Sequence, residues 1–293
     1  GYGLWAIGAR RMTVEDSEFF HWHRAAVFGG GADLVLRGNE VHSVRSDGFN
    51  LIGVAGALIE GNLFRDFRVA AQTGDHADMI QFWTNGADRP STDVTIRDNV
   101  LDMAGGALTQ SLFMRNEEVD TGRAGAEMFY RNIVIERNVI RNAHHHGITV
   151  GETDGLVIRN NTVLGDPSLA DRATVLTPKI NVSGASRNVT VVGNLAHVVP
   201  PAQREDWKVE GNVLLNLHDR DAPAWIGAAL ADGLAGGRAP GADVLRDLRP
   251  IPGGRAAGAG APRLRGPEAW GPLDGWIEAG AGVGADWRRR DFA

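Results

Sequence analysis

Cysteine is absent from the 293 residues, which excludes disulfides, thiolate nucleophiles and cysteine-ligated metals. Lysine is nearly absent: Lys179 and Lys208 are the only two, so of the 30 Lys and Arg the other 28 are arginine. The arginines are scattered and read as mostly solvated, and the formal net charge is −6. A polybasic face for nucleic acid or an anionic membrane is therefore not expected, and neither is a partner of either kind. Tyrosine is limited to Tyr2 and Tyr130, and no apolar run is long enough to span a bilayer. No long amphipathic helical pattern is present either.

What the chain does contain is repetition. An alternating apolar phrase ending at a polar bend recurs at Met12-Thr-Val-Glu-Asp-Ser17, Leu34-Val-Leu-Arg-Gly-Asn39, Leu58-Ile-Glu-Gly-Asn62, Val94-Thr-Ile-Arg-Asp-Asn99, Ile133-Val-Ile-Glu-Arg-Asn138, Leu156-Val-Ile-Arg-Asn-Asn161 and Val189-Thr-Val-Val-Gly-Asn194. Val209-Glu-Gly-Asn212 reads as an eighth copy. The steps between the bend positions are 22, 23, 37, 39, 23, 33 and 18 residues, a rung of about 22 residues with loops inserted in some turns. Short period-2 strands separated by turn residues predict an all-β fold, a right-handed parallel β-helix of about eight rungs. The repeated asparagines are expected to form a structural ladder, each adopting the left-handed conformation at its bend and bonding to the asparagine of the next rung.

This solenoid is expected to occupy residues 1–200. Residues 201–293, with Pro200-Pro201 before them and the runs 228–237 and 256–261, read as the last rungs and a terminal cap packed by Trp270, Trp276 and Trp287. The chain opens within what reads as an earlier rung, Leu4–Ile7, without a signal peptide, so it is expected to be a mature or excised part of a longer chain. Freedom from cysteine suits a bacterial, extracellular (secreted) protein. The Asn-x-Ser/Thr triplets at Asn160, Asn181 and Asn188 fall inside rungs and are taken as fortuitous.

Function is expected on one face. A third strand of each rung aligns as Asp47–Leu51, Asp78–Phe82, Gln110–Met114, His146–Val150 and Pro178–Val182. Phe49, Ile80, Leu112, Ile148 and Ile180 point inward in this alignment, with Leu51, Phe82, Met114, Val150 and Val182. Asn50, Gln81, Phe113, Thr149 and Asn181 point outward, flanked by Trp83, Arg115 and Lys179. At about 4.8 Å per rung the column is roughly 20 Å long. His76 and Asp78 precede Gln81 in Asp75-His-Ala-Asp78, Asp47 and Gln110 begin neighbouring strands, and the largest insertions lie beside this face. The adjacent His144-His-His146 reads either as a solvated turn or as a source of one base, since consecutive histidines seldom converge on one ion. Glu117-Glu-Val-Asp120 and the Gly151-Glu-Thr-Asp154 turn are solvated loop charge or, together, oxygen ligands for Ca²⁺; no cofactor is otherwise required.

Residues 10 to 200 resemble the right-handed β-helix proteins that act on polysaccharides, a group that includes alginate and pectate lyases, mannuronan C5-epimerases and polygalacturonases. Ser46-Asp-Gly-Phe-Asn50 and Asp75-His-Ala-Asp78 are similar in type to the Asp-Gly-Phe and Asp-x-His-Glu elements of the epimerases. Ser46-Asp-Gly48, Asp75-His-Ala-Asp78, His145-His-Gly147 and Pro178-Lys-Ile180 follow the order of the polygalacturonase elements, with an additional rung between the second and third.

The resemblance implies a polysaccharide substrate and chemistry at a uronate. Such chemistry needs a neutraliser for the carboxylate, for which Arg115, Gln81 or a bound cation serves, and a base for the C5 proton, for which His146 or Lys179 serves. His76 and Asp78 complete the candidate catalytic set. Asp47, Asn50, Gln81, Trp83, Gln110, Phe113, Thr149 and Asn181 form the candidate binding set. Glycoside hydrolysis by an Asp47/Asp78 pair, and a non-catalytic polysaccharide-binding or adhesin module, stay open as alternatives.

Overall fold

The computed structural model describes residues 1–69, 76–103, 109–166, 176–230, 253–257 and 259–260. Each rung lays one strand into each of three parallel sheets, as in Arg24–Gly29 (sheet A), Ala32–Arg37 (sheet B) and Glu40–His42 (sheet C). Among the described residues sheet A has seven strands, and sheets B and C eight each, every strand beside the equivalent strands of the rungs before and after it. This is a right-handed parallel β-helix. No helix in the described residues is long and apolar enough to cross a membrane.

The bend after each sheet B strand is built differently from the expectation. The left-handed residue is the one before the asparagine, or before Ser17 in the first copy: Asp16, Gly38, Gly61, Asp98, Arg137, Asn160, Gly193 and Gly211 all have φ between 47° and 64°. The asparagine side chain instead ties rungs together. The Asn99 Oδ1 accepts from the backbone N–H and the side-chain amide of Asn62, both at 2.9 Å, and the Asn99 amide donates to the Ile59 carbonyl at 2.9 Å. The same bonds repeat from Asn39 through Asn62, Asn138, Asn161 and Asn194 to Asn212, with the Ser17 N–H entering at the start. The ladder satisfies polar groups that would otherwise be buried without partners at every turn.

The arginines are organised as well, which scattered positions in the sequence concealed. At the end of sheet B, Glu15, Arg37, Glu60, Arg97, Glu136 and Arg159 occupy successive register positions with alternating sign. Glu15–Arg37 (2.6 Å), Glu60–Arg97 (2.8 Å) and Glu136–Arg159 (2.6 Å) are ion pairs within that row. In sheet C, Arg141 grips both oxygens of Asp102 at 2.7 Å.

The interior is apolar along its whole length. Phe49, Ile80, Leu112, Ile148 and Ile180 form one fully buried row of sheet A, faced by Leu36, Ile59, Ile96, Ile135, Ile158 and Val191 from sheet B. Phe28, Phe49 and Phe64 meet edge to face near the start of the coil. A second apolar cluster lies outside this core and joins Leu63, Val100, Val139 and Leu195 of sheet C to Leu215, Leu217, Ile226, Leu230 and Ala256. The described part of the C-terminal region thus lies along the flank of sheet C, instead of only closing the last rung. Trp270, Trp276 and Trp287 lie outside the described residues.

Candidate functional site

The outward column of sheet A is present in the expected register: Asn50 faces Gln81, Gln81 faces Phe113, Phe113 faces Thr149, and Thr149 faces Asn181. Its two halves differ in character. At the Asn50 end the polar side chains are packed against one another, whereas at the Asn181 end they line an open cavity.

In the packed half, Asn50 and Gln81 are only 1% and 6% exposed, which corrects the expectation of a solvent-facing trough there. The Asn50 amide donates to Gln81 Oε1 at 2.7 Å, and the Gln81 amide donates to Asp78 Oδ2 at 2.9 Å. Asp47 and Asp78 are both buried. Arg24 Nε pairs with Asp47 Oδ2 at 2.7 Å, and the Asp78 backbone N–H donates to Asp47 Oδ1 at 3.2 Å. The Arg24 guanidinium also rests over the half-exposed ring of Trp83, 5.6 Å from its centroid. Burial raises the Asp78 carboxyl to about 6, against the lowering effect of the His76 hydrogen bond. His76, 62% exposed, has Nε2 3.3 Å from Asp78 Oδ2, and that bond raises its own pKa. Asp75 lies outside the described residues.

Among the described residues, three buried acceptor oxygens of this packed half have no hydrogen-bond partner, Asn50 Oδ1, Asp78 Oδ1 and Gln110 Oε1, and Glu152 Oε2 farther along the face is a fourth. Gln110 is the register neighbour of Asp78. An arrangement of acceptors alone suits a donor such as a sugar hydroxyl or a water molecule.

The open half is a cavity of about 400 Å³ lined by Phe113, Arg115, Asp120, His146, Thr149, Glu152, Asn181 and Ser183, among others. His146 Nδ1 lies 2.8 Å from Thr149 Oγ1, and the Asn181 amide donates to that same hydroxyl at 3.2 Å. The His146 ring meets Phe113 edge to face at 4.8 Å. Burial, reinforced by its histidine neighbours, lowers His146 to about 4, so it is neutral at pH 7. Arg115 is exposed and bridges to Asp120 at 2.9 Å. Its carbonyl accepts from the Tyr130 hydroxyl at 2.7 Å, which fixes the strand end that carries it. Lys179 is the register partner of His146, and the pairing of their strands shifts between His146 and Ile148.

The local fold brings three histidines together, contrary to the expectation for adjacent residues. Asn142 Oδ1 accepts from the N–H groups of Ala143 and His144 at 2.7 and 3.1 Å, and this curls the chain just before the strand His146–Val150. The pairing of this strand with the next then shifts register between His146 and Ile148. One ring nitrogen of each of His144, His145 and His146 lies within 4.8 Å of the others.

The acidic loops behave otherwise. Glu117–Asp120 is a short helix whose carboxylates are separately engaged: Glu117 with the Thr84 N–H, Glu118 with Arg123 and the Gly86 N–H, and Asp120 with Arg115. Asp154 accepts from Asn188, and Glu152 Oε1 accepts from Ser183 at 2.6 Å. These acids do not gather into a three-ligand group in the described residues.

One contributor, Arg24, was missed in the sequence, and a second, Glu152, was read there only as loop charge or a Ca²⁺ ligand. Arg24 falls one rung before the aligned strands, and its register match to Asp47 emerges only if that alignment is extended backward. Glu152 follows the strand His146–Val150 and enters the cavity wall from the turn.

A family profile described as "Right handed beta helix region" matches residues 1–196. No curated protein matches the chain.

Proposed function

The chain belongs to the right-handed β-helix family, and on that premise we propose that it acts on an acidic, uronate-containing polysaccharide by removing the C5 proton, as a lyase or C5-epimerase. The observation that carries this reading is that Arg115, a neutral His146 and Asn181 line one cavity on the sheet A face. In this reading Arg115 exchanges part of its contact with Asp120 for the substrate carboxylate and stabilises the enolate-like charge that develops as the proton leaves. His146 Nε2 takes the proton while its Nδ1 is held by Thr149. In a lyase the C4–O bond then breaks, a C4–C5 double bond forms, and a proton from solvent reaches the departing oxygen. In an epimerase a proton returns to C5 from the other side; Lys179 pairs with His146 in register but is not among the residues lining the cavity.

Hydrolysis by Asp47 and Asp78 is disfavoured by their packing. Both are buried, and Asp47 is committed to Arg24 and to the backbone of Asp78. An inverting pair needs two accessible carboxyls about 6.5–9.5 Å apart with a water between them.

The test is incubation with alginate, pectate and glycosaminoglycans, following the ultraviolet absorbance of unsaturated ends and, by NMR in D₂O, deuterium entry at C5. We expect one of the two signals, reduced at least a hundredfold in Arg115→Ala and His146→Ala. New reducing ends without absorbance, or binding without turnover, would overturn the reading.

A further inference from the structure

We propose that His144, His145 and His146 form a binding site for a divalent transition-metal ion of the Zn²⁺ type at the edge of the sheet A cavity, which His146 alone of the three lines. The three ring nitrogens already lie within 4.8 Å of one another. In a tetrahedral site with Zn–N bonds of about 2.1 Å they would be about 3.4 Å apart, so the set closes when each nitrogen moves inward by about 1 Å.

The chemistry of the ligand set selects the ion. Three imidazoles and no carboxylate suit Zn²⁺, Co²⁺, Ni²⁺ or Cu²⁺ rather than Ca²⁺ or Mg²⁺. All three rings are half-buried, so the ligands are partly desolvated yet reachable from solvent. The rings crowd one another, with centroids 4.1 Å apart for His145 and His146, 4.4 Å for His144 and His145, and 5.1 Å for His144 and His146. The backbone is fixed around them: Asn142 holds the N–H groups of Ala143 and His144, and the His145 carbonyl accepts from both Gly147 and Lys179. His146 is further oriented through Nδ1 by Thr149, the outer-shell support that ligating histidines usually carry. The bond from the His146 N–H to His144 Nδ1 is long, 3.3 Å, and little is lost if that ring turns to the metal. Three protein ligands leave a fourth position for water or a substrate oxygen.

A consequence follows for the activity, and it rests on the reading in the preceding section. A metal bound through His146 Nε2 occupies the lone pair that accepts the C5 proton, so the loaded protein is the inactive form.

Binding is tested first and without substrate, on full-length protein carrying no affinity tag. Co²⁺ is titrated while its visible absorption is recorded, and Zn²⁺ is titrated by calorimetry. The expected result is one ion per chain, with affinity weakened at least tenfold in His145→Ala and in His144→Gln, both checked for native circular dichroism. No binding, or binding unchanged in both variants, overturns the site. Zn²⁺ is then added to the turnover assay. Loss of activity in proportion to occupancy supports the inhibitory role, whereas full activity of the loaded protein overturns that role and leaves the site standing. Inactivity on every polysaccharide would count against the proposed reaction alone, because the metal titration needs no turnover.

Discussion

Asp78 is the residue whose chemistry was hardest to foresee, because sequence shows its type and its register but not its burial. A carboxylate opening a strand beside an imidazole reads as a catalytic group; in the folded chain it is shut beneath neighbours, with one oxygen unpartnered and its pKa raised to about 6. The folded state therefore holds the Asp78 proton more tightly than the unfolded chain, whose value is near the ordinary 3.8. The stability this contributes is complete below about pH 4 and is lost as pH rises through 6. His76 works in the same direction: its raised pKa contributes stability below its ordinary 6.5 that is lost at higher pH. Asp78→Asn keeps the shape, removes the titration and leaves an oxygen for Gln81. Its stability relative to the native protein is expected to improve by on the order of 2–3 kcal/mol between pH 4 and pH 7. Denaturant unfolding at the two pH values measures this, and a pH-independent difference between the two proteins would contradict the burial argument.

At the scale of the strand and its bend, the sequence was legible wherever a repeating pattern carried the information. The inward rows and the outward register from Asn50 to Asn181 follow from period-2 alternation alone, since a slip of one residue would turn every apolar side chain to solvent. The asparagine ladder was legible for the same reason, but its mechanism was not. Asn is tolerated in the left-handed region, so the repeat alone points to Asn for it, while the preceding Gly, Asp, Asn or Arg takes that conformation and frees the Asn amide to bridge rungs. Asn99→Ala separates the two roles, because Asp98 keeps the turn while the loss removes the acceptor of the Asn62 N–H and the donor to the Ile59 carbonyl. The expected cost is about 3 kcal/mol, since buried groups are left unpaired and not merely unbonded. Thermal or denaturant unfolding reads it, and a change under about 1 kcal/mol would show that water replaces the amide and that the ladder is not what secures the bend.

For the whole molecule, the solenoid sets what the face can hold. Successive rungs stand about 4.8 Å apart, and the open cavity runs over the three rungs bearing Phe113, Thr149 and Asn181, two steps or about 10 Å. The roughly 20 Å column expected from the sequence is thus halved. Asn50 and Gln81 are buried and bonded in series, Asn50 to Gln81 and Gln81 to Asp78, with Arg24 pairing Asp47 nearby, contacts between rungs that no local pattern reports. The convergence of the three histidines was hidden for a similar reason, since it accompanies the Asn142 bend and a register shift that residue spacing does not report. If the reaction proposed for this cavity is right, a span of about 10 Å accommodates two to three sugar rings. With oligouronates of defined length, kcat/KM is then expected to climb steeply up to the trisaccharide and to change less than about threefold from there to the hexasaccharide, because added rings pass beyond the wall formed by Phe113 and Asn181. A continued rise through the hexasaccharide would place further binding contacts over the packed half, and would return His76, Trp83 and Gln110 to the substrate-binding surface.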